Sequence, residues 1–136
     1  MIRRLTRDLD IPVAIRGVST VREPDGVALS SRNAYLDATQ RALAPLLSEV
    51  LRETAARVVG GTAAAEAARD ARERLVGAGF DPVDYLEVRE EETLALIEDA
   101  PVAGRPARVF AAAWLGETRL IDNWPVQRSV QAAVVG

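Results

Sequence analysis

The sequence has no histidine, no cysteine and no lysine, so all 17 of its basic residues are arginines. The absence of imidazole and thiol groups excludes acid–base catalysis by histidine, nucleophilic catalysis by cysteine, disulfides and the common zinc sites. Without lysine, no side-chain amine can form a Schiff base or hold a phosphate as a point charge. A metal ion would need carboxylate ligands, and we predict no metal site.

Aromatic residues are also scarce, at 4%, and no apolar run reaches the roughly 18 residues that a membrane-spanning helix needs. The first residues are basic but lack the apolar stretch and cleavage site of a signal peptide. The net charge of −3 argues against a nucleic-acid-binding surface, which concentrates basic residues on one face. We therefore expect a cytoplasmic protein with neither a membrane nor nucleic acid as a partner.

The first 20 residues have the pattern of a helix followed by an apolar strand. Residues 2–9 carry apolar side chains at helical spacing, and Ile11, Val13 and Ile15 lie on one face of a predicted strand. A helix that leads into such a strand is the second half of a βαβ unit, so the chain is predicted to begin inside an α/β domain. Because an unpaired apolar strand is a template for pairing, we expect a homodimer, or a strand folded back onto the chain's own sheet.

Two main helices are predicted in the middle of the chain. Asp37 is the expected N-cap of the first helix, with Gln40 at the position that completes a capping box. Pro45 should bend this helix or separate its first turns, because proline lacks an N–H and clashes with the preceding turn. Thr62 is predicted to cap the second helix, which is rich in alanine, and Gly79 to end it.

The last third of the chain has the alternation of β-strands. Residues 83–90 form one predicted strand, and residues 105–116 and 117–126 form two more, joined by a tight turn around Gly116. A three-stranded antiparallel sheet with two main helices makes a two-layer α+β domain. We assign residues 21–127 to this domain and residues 128–136 to a tail without a predicted role.

The stretch Leu29-Ser30-Ser31-Arg32-Asn33 is the strongest candidate for a binding site. It lies between a glycine-containing turn and a helix. Two hydroxyls and a guanidinium in one short loop suit phosphate oxygens, and N–H groups at a helix start would add partial positive charge. The structural alternative is a serine N-cap followed by a solvated arginine, and the local pattern alone favours that alternative.

The acidic residues are interpreted as structural. None of them shows the spacing of a metal-binding loop, and the aspartates stand mostly at predicted turns or caps: Asp25, Asp37, Asp81, Asp84, Asp99 and Asp122. Arg22 and Glu23, beside the first turn, are predicted to form an ion pair that holds the loop.

Three stretches of the chain together carry a more specific signal: IRRLTRDLDIPVAIRGV, STVREPDGVALSSRNAYLDATQRALAPLL and VFAAAWLGETRLIDN. In this order, over residues 2–123, they resemble the pantothenate synthetase (pantoate–β-alanine ligase) family. The first resembles the last helix and strand of the family's Rossmann-like domain, the second resembles the segment that follows, and the third resembles the carboxy-terminal hairpin. The resemblance implies that residues 1–20 are a remnant of the nucleotide-binding Rossmann-like domain and residues 21–127 the carboxy-terminal domain.

The resemblance also implies an ATP-dependent ligase of the nucleotidylyltransferase superfamily. In such enzymes the carboxylate of pantoate attacks ATP, with Mg²⁺, and gives pantoyl adenylate and pyrophosphate. The amine of β-alanine then displaces AMP. This chemistry depends on positioning and charge neutralisation rather than on a protein nucleophile, which agrees with a chain that lacks histidine and cysteine.

By the match to the family's phosphate-holding loop, the resemblance implies an ATP-binding role for Ser30, Ser31 and Arg32. It adds Leu29 to the same segment and assigns Val21 to the adenine side, through its backbone. No residue receives a catalytic role, because the family's histidine motif and its contacts to pantoate and β-alanine belong to an amino-terminal domain that is missing here. The isolated chain is therefore expected to be inactive and to hold no tightly bound cofactor.

Two other functions stay open at this point. A non-catalytic module for oligomerisation or partner binding would suit the unpaired strand at residues 11–18. A fragment of a different nucleotidylyltransferase could carry a similar Ser-Ser-Arg loop, although the ending WLGETRLIDN favours pantothenate synthetase.

Overall fold

The computed structural model describes residues 21–100 and 106–126. The predictions for the first 20 residues, including the strand expected to pair in a dimer, and for the tail lie outside the described residues. In chain order the elements are a 3₁₀ helix (Ser31–Tyr35), helices α1 (Ala38–Leu43), α2 (Pro45–Val59) and α3 (Ala64–Ala78), and strands β1 (Val83–Glu90), β2 (Ala107–Leu115) and β3 (Thr118–Val126).

The three strands form one antiparallel sheet in the order β1-β2-β3. The β2–β3 hairpin turns at Gly116, whose φ of 60° lies in the left-handed region that glycine adopts without steric cost. Helix α2 packs mainly on β3, helix α3 packs on β1, and the two helices also pack on each other. The predicted two-layer α+β fold, with two main helices on a three-stranded antiparallel sheet, is confirmed.

The core lies between the sheet and helices α2 and α3. Leu51, Leu75, Phe80 and Val109 are fully buried there, and burying a side chain of this size contributes about 1.5–3 kcal/mol. Helix α3 faces the core mostly with small residues, namely Ala64, Ala67, Ala71 and Leu75. Small side chains allow the helix to approach the sheet closely. None of the helices in the described part of the chain is long and apolar enough to cross a membrane.

The predicted helix ends are correct in part. Asp37 accepts from the N–H of Gln40 at 2.8 Å, the Gln40 side chain accepts from the N–H of Asp37 at 3.0 Å, and a new helix begins at Pro45. The prediction that Thr62 caps α3 is wrong, because the N-cap position is Ala63 and has no side-chain hydrogen bond. The carbonyls of residues 98 and 99 instead accept from the first N–H groups of α3, at 2.8 and 3.3 Å.

Residues 21–29 form a small antiparallel hairpin before the candidate loop. Glu23 N–H donates to the carbonyl of Val27 at 2.8 Å, and Leu29 N–H donates to that of Val21 at 2.9 Å. The predicted turn is present, and Gly26 adopts a φ of 94°. A Cβ at Gly26 would lie 2.9 Å from the Ser48 hydroxyl oxygen, so the hairpin is seated closely on α2.

Arg22 joins this hairpin to strand β3. Its guanidinium donates to both carboxylate oxygens of Asp122, at 2.7 and 2.8 Å, and the Asp122 side chain is only 2% exposed. The same guanidinium donates to the carbonyls of Gly26 at 2.9 Å and Asn123 at 3.1 Å and lies 4.9 Å from the ring centre of Trp124. This bidentate pair connects two segments that are 100 residues apart in sequence.

The predicted ion pair between Arg22 and Glu23 is therefore wrong. Successive side chains of an extended segment point to opposite sides, so the two residues cannot face each other. Glu23 accepts instead from Arg41 of α1 at 2.6 Å, and Arg41 also pairs with Asp25 at 2.8 Å. The hydrogen bond from Arg41 lowers the pKa of the Asp25 carboxyl below its ordinary value, so this contact stays charged at neutral pH.

We expect Asp122→Asn to lower the free energy of unfolding by about 3 kcal/mol, because it leaves the Arg22 charge without its buried partner. Denaturant unfolding measures this loss. The matched control is Asp70→Asn, which removes an exposed ion pair with Arg57 of 3.0 Å and should cost about 0–1 kcal/mol. Equal losses in the two variants would contradict a special role for the buried pair.

Candidate functional site

The candidate loop begins directly after the hairpin and forms one turn of 3₁₀ helix. Ser30 is extended, and its Oγ accepts from the N–H of Arg32 at 3.2 Å. Ser30 therefore does cap the turn, as the structural alternative holds. A hydroxyl that accepts one hydrogen bond can still donate its own hydrogen, and Ser30 is exposed. Capping and phosphate binding are thus compatible at this residue.

The loop runs into a 3₁₀ helix, and the helix that Asp37 caps begins only at Ala38. The segment that follows Ser30 is a 3₁₀ helix of 5 residues rather than a long α-helix. The partial charge of a helix terminus comes from many aligned peptide dipoles, so a single turn contributes little of it. The attraction for an anion must therefore come from side chains, above all from Arg32.

Asn33 holds the loop against the preceding hairpin. Its side-chain N–H group donates to the carbonyl of Ala28 at 3.0 Å. Its Oδ1 atom is buried and has no hydrogen-bond partner among the described residues. The amide thus fixes the course of the backbone behind Ser30 and Arg32, although the sequence motif alone does not indicate which carbonyl it contacts.

Two adjacent openings lie between the candidate loop and strand β3. The narrower cleft has a volume of about 270 Å³, and the wider one has about 740 Å³. Ser30 and Arg32 line the narrower cleft opposite Arg119 and Asp122. Arg32 also lines the wider cleft, together with residues that come from the start of α1 and from the β2–β3 hairpin: Tyr35, Gln40, Trp114, Gly116, Glu117, Thr118 and Arg119.

The structure brings only some of the predicted site residues to these clefts. Ser30 and Arg32 line them, whereas Val21, Leu29 and Ser31 do not. Val21 and Leu29 face each other across the hairpin, and each is 61% exposed. Apolar side chains as exposed as these are suited to contact with a flat ring or with another part of the protein.

Arg32 differs from most other arginines of the described residues. Arg22, Arg41 and Arg108 each donate to a carboxylate. Arg32 is exposed, and within residues 21–100 and 106–126 its guanidinium has no hydrogen bond or ion pair. An unpaired guanidinium at the mouth of a cleft can bind a phosphate with two parallel hydrogen bonds.

The sequence reasoning missed Arg119, which lines both clefts from the β3 side. Its only signal in the sequence is its place in the stretch ETRLIDN, which contributes to the family resemblance but does not single out the arginine. The Asp122 carboxylate, which also lines the narrower cleft, is paired with Arg22. The cleft therefore presents the guanidinium groups of Arg32 and Arg119 without an unpaired carboxylate from Asp122.

The described residues contain no group of three or more His, Cys, Asp or Glu side chains that could hold a metal ion.

Comparison with known proteins agrees with the sequence signal. The family "Pantoate-beta-alanine ligase" matches residues 1–125. Pantothenate synthetase from Chelativorans sp. is 52% identical over 128 residues, which cover 93% of this chain and 43% of the relative. The relative from Paramagnetospirillum magneticum is 52% identical over 127 residues and is covered to 44%. The chain thus spans less than half the length of these curated relatives.

A solved structure supports the same relationship. Pantothenate synthetase from Thermus thermophilus superposes with a TM-score of 0.78 at 44% identity, over 92% of this chain and 44% of that protein. Both the candidate loop and the β2–β3 hairpin lie within residues matched by the family, which removes the alternative of a different nucleotidylyltransferase. The chain belongs to the pantoate–β-alanine ligase family.

Proposed function

We propose that this chain supplies one edge of the ATP site of a pantoate–β-alanine ligase. The observation that carries the proposal is the guanidinium of Arg32, which has no partner among the described residues and lines a cleft that the Ser30 hydroxyl also lines. Membership of the family supports the reaction class. The geometry supports the role of the loop, because an arginine fork and a hydroxyl suit phosphate oxygens.

In the proposed reaction, a carboxylate oxygen of pantoate attacks the α-phosphorus of ATP. The bond to the β-phosphate oxygen breaks, so that pantoyl adenylate forms and pyrophosphate leaves. The amine of β-alanine then attacks the acyl carbon, loses a proton and displaces AMP. The described residues would contribute charge neutralisation on the phosphates rather than a nucleophile. This role fits a chain that contains no histidine, cysteine or lysine.

The remaining roles follow from the same proposal. Ser30, Ser31 and Arg32 hold phosphate oxygens, and Leu29 belongs to the same ATP-binding segment. Val21 contacts the adenine side through its backbone. Mg²⁺ enters with ATP as part of the substrate complex, bound to its phosphates. Pantoate and β-alanine bind to the amino-terminal part of the enzyme, of which residues 1–20 are the last piece.

Assembly and location are part of the proposal as well. We place the ligase in the cytoplasm as a homodimer, without a nucleic acid or membrane partner.

Sedimentation of the unchanged chain and of Val13→Asp tests whether the chain forms this dimer. A charge on the apolar face of the predicted strand would prevent its pairing, so we expect Val13→Asp to be a monomer. A chain that is a monomer both with and without this change contradicts it.

We expect Arg32→Ala to slow adenylate formation by roughly 10- to 100-fold, because a charge-assisted hydrogen bond contributes about 1.5–3 kcal/mol. The assay is pantoate-dependent exchange of pyrophosphate into ATP, with this chain joined to the amino-terminal part that its relatives carry. Arg32→Lys should be slow too, since the amine cannot form the two parallel bonds. Arg72→Ala removes an exposed arginine of α3 and is the matched control. If Arg32→Ala leaves the exchange rate unchanged, Arg32 is not part of the ATP site.

We expect the 136-residue chain alone to produce no pantothenate and to bind ATP with a millimolar or weaker dissociation constant. One edge of a site makes only a few hydrogen bonds, and the ordering of loop and ligand offsets much of their contribution. Calorimetry with ATP and an assay with pantoate and β-alanine measure the two quantities. Micromolar binding, or turnover that Arg32→Ala abolishes, would contradict this expectation.

A further inference from the structure

Arg32 and Arg119 approach the same two clefts from opposite sides. Arg32 comes from the 3₁₀ helix that follows the hairpin, and Arg119 comes from the start of β3, against which that helix packs. Both residues line the narrower cleft and the wider one. Two guanidinium groups around one opening repel each other unless an anion lies between them. The charged residues that line the wider cleft are these two arginines and Glu117, so its lining has an excess of positive charge, which favours an anion.

Arg119 is held in a way that leaves its outer nitrogens available. Its Nε donates to Oδ2 of Asp84 at 2.8 Å, and the indole N–H of Trp114 donates to the same oxygen at 3.0 Å. The guanidinium also stands 6.0 Å from the ring centre of Tyr85. Within the described ranges, neither terminal nitrogen of Arg119 has a hydrogen-bond partner. These are the two nitrogens that would contact a ligand.

The contact with Asp84 persists at neutral pH. The hydrogen bond from Arg119, and after it that from Trp114, lowers the pKa of the Asp84 carboxyl below its ordinary value. An ionised carboxylate on Nε orients the planar guanidinium without occupying its outer edge. By contrast, Arg22 uses both terminal nitrogens on Asp122, which is the arrangement of a structural pair.

We propose that Arg119 is a second phosphate-binding arginine of this site, oriented by Asp84, and that it and Arg32 together bind a polyphosphate across the wider cleft. The identification of the polyphosphate as the phosphate chain of ATP or its pyrophosphate product rests on the proposed function. With about 740 Å³, the wider cleft has room for more than one phosphate group. Two arginines on opposite sides can each bind a different group of the same anion.

The test is a titration of the ¹⁵N-labelled 136-residue chain with sodium pyrophosphate, followed by the Nε–Hε signals of its arginines in NMR spectra. We expect the signals of Arg32 and Arg119 to shift with one common dissociation constant. Arg32→Ala and Arg119→Ala should each raise that constant about tenfold, the lower end of what a charge-assisted hydrogen bond contributes. Arg72→Ala should leave it unchanged. Inorganic phosphate should bind more weakly than pyrophosphate, because it cannot reach both arginines.

The outcomes separate this inference from the proposed function. If Arg32→Ala weakens pyrophosphate binding and Arg119→Ala does not, Arg119 is no part of the site and the role of the candidate loop stands. If neither change weakens binding, both proposals fail for these residues. Arg119→Lys keeps the charge and provides a second variant should Arg119→Ala unfold the chain; binding equal to that of the unchanged protein would contradict the need for a guanidinium.

Asp84→Asn tests the positioning role separately. It leaves the charge of Arg119 but removes the ionised acceptor on its Nε. We expect weaker pyrophosphate binding and a displaced Nε–Hε signal of Arg119 in the free protein. A displaced signal with unchanged binding would show that Asp84 has only a structural role and would overturn this part of the inference.

Discussion

The buried pair between Arg22 and Asp122 is the contact on which the site geometry depends. Asp122 belongs to the edge strand of a sheet that is fixed by its hydrogen bonds, whereas Arg22 belongs to a hairpin that has little core of its own. A charge as buried as that of Asp122 is tolerated only when it is fully paired. The pair therefore prescribes where the hairpin must lie, and the candidate loop begins where that hairpin ends.

A second set of contacts fixes the other end of the loop. Arg41 of α1 holds Glu23 and Asp25 of the hairpin, and the capping box of Asp37 and Gln40 begins α1. The segment from Ser30 to Tyr35 thus lies between two anchored elements. It has few buried side chains, so its conformation follows from its neighbours rather than from its own packing. Among the described residues nothing pairs with the Arg32 guanidinium, so it can bind a ligand while the backbone beneath it is held in place.

Local signals in the sequence predicted most of the secondary structure, because they act over a few residues. Pro45 ends one helix and begins the next because it lacks an N–H and clashes with the preceding turn. The apolar alternation of residues 83–90 favours a strand with one buried face. The helix cap at Thr62 was predicted wrongly because the actual acceptors come from residues 98 and 99, far along the chain. The partner of Arg22 was missed for the same reason. Pairing between distant segments leaves no periodic trace in one sequence.

The site was predictable only on the side where its residues are consecutive. Ser30 and Arg32 stand together in the chain and have a recognisable composition, whereas Arg119 reaches the clefts only through the folding of β3 beside the loop. Its contact with Asp84 depends in turn on the registers of three strands. In the sequence, Arg119 is one of 17 arginines, and nothing local distinguishes it from those that form surface ion pairs.

Strand β2 contains three successive alanines, Ala111, Ala112 and Ala113, and all three are fully buried. Ala111 and Ala113 belong to the core between the sheet and the helices, and Ala112, on the opposite face, is paired with Tyr85 of β1 and Ile121 of β3. Methyl groups at Ala111 and Ala113 fill little space, so the helices can approach β2 closely at these two positions. A larger side chain at Ala111 or Ala113 would have to displace the helices that pack on the sheet. Many surface positions of the domain can therefore accept other side chains, whereas the middle of β2 has no room for a side chain larger than alanine.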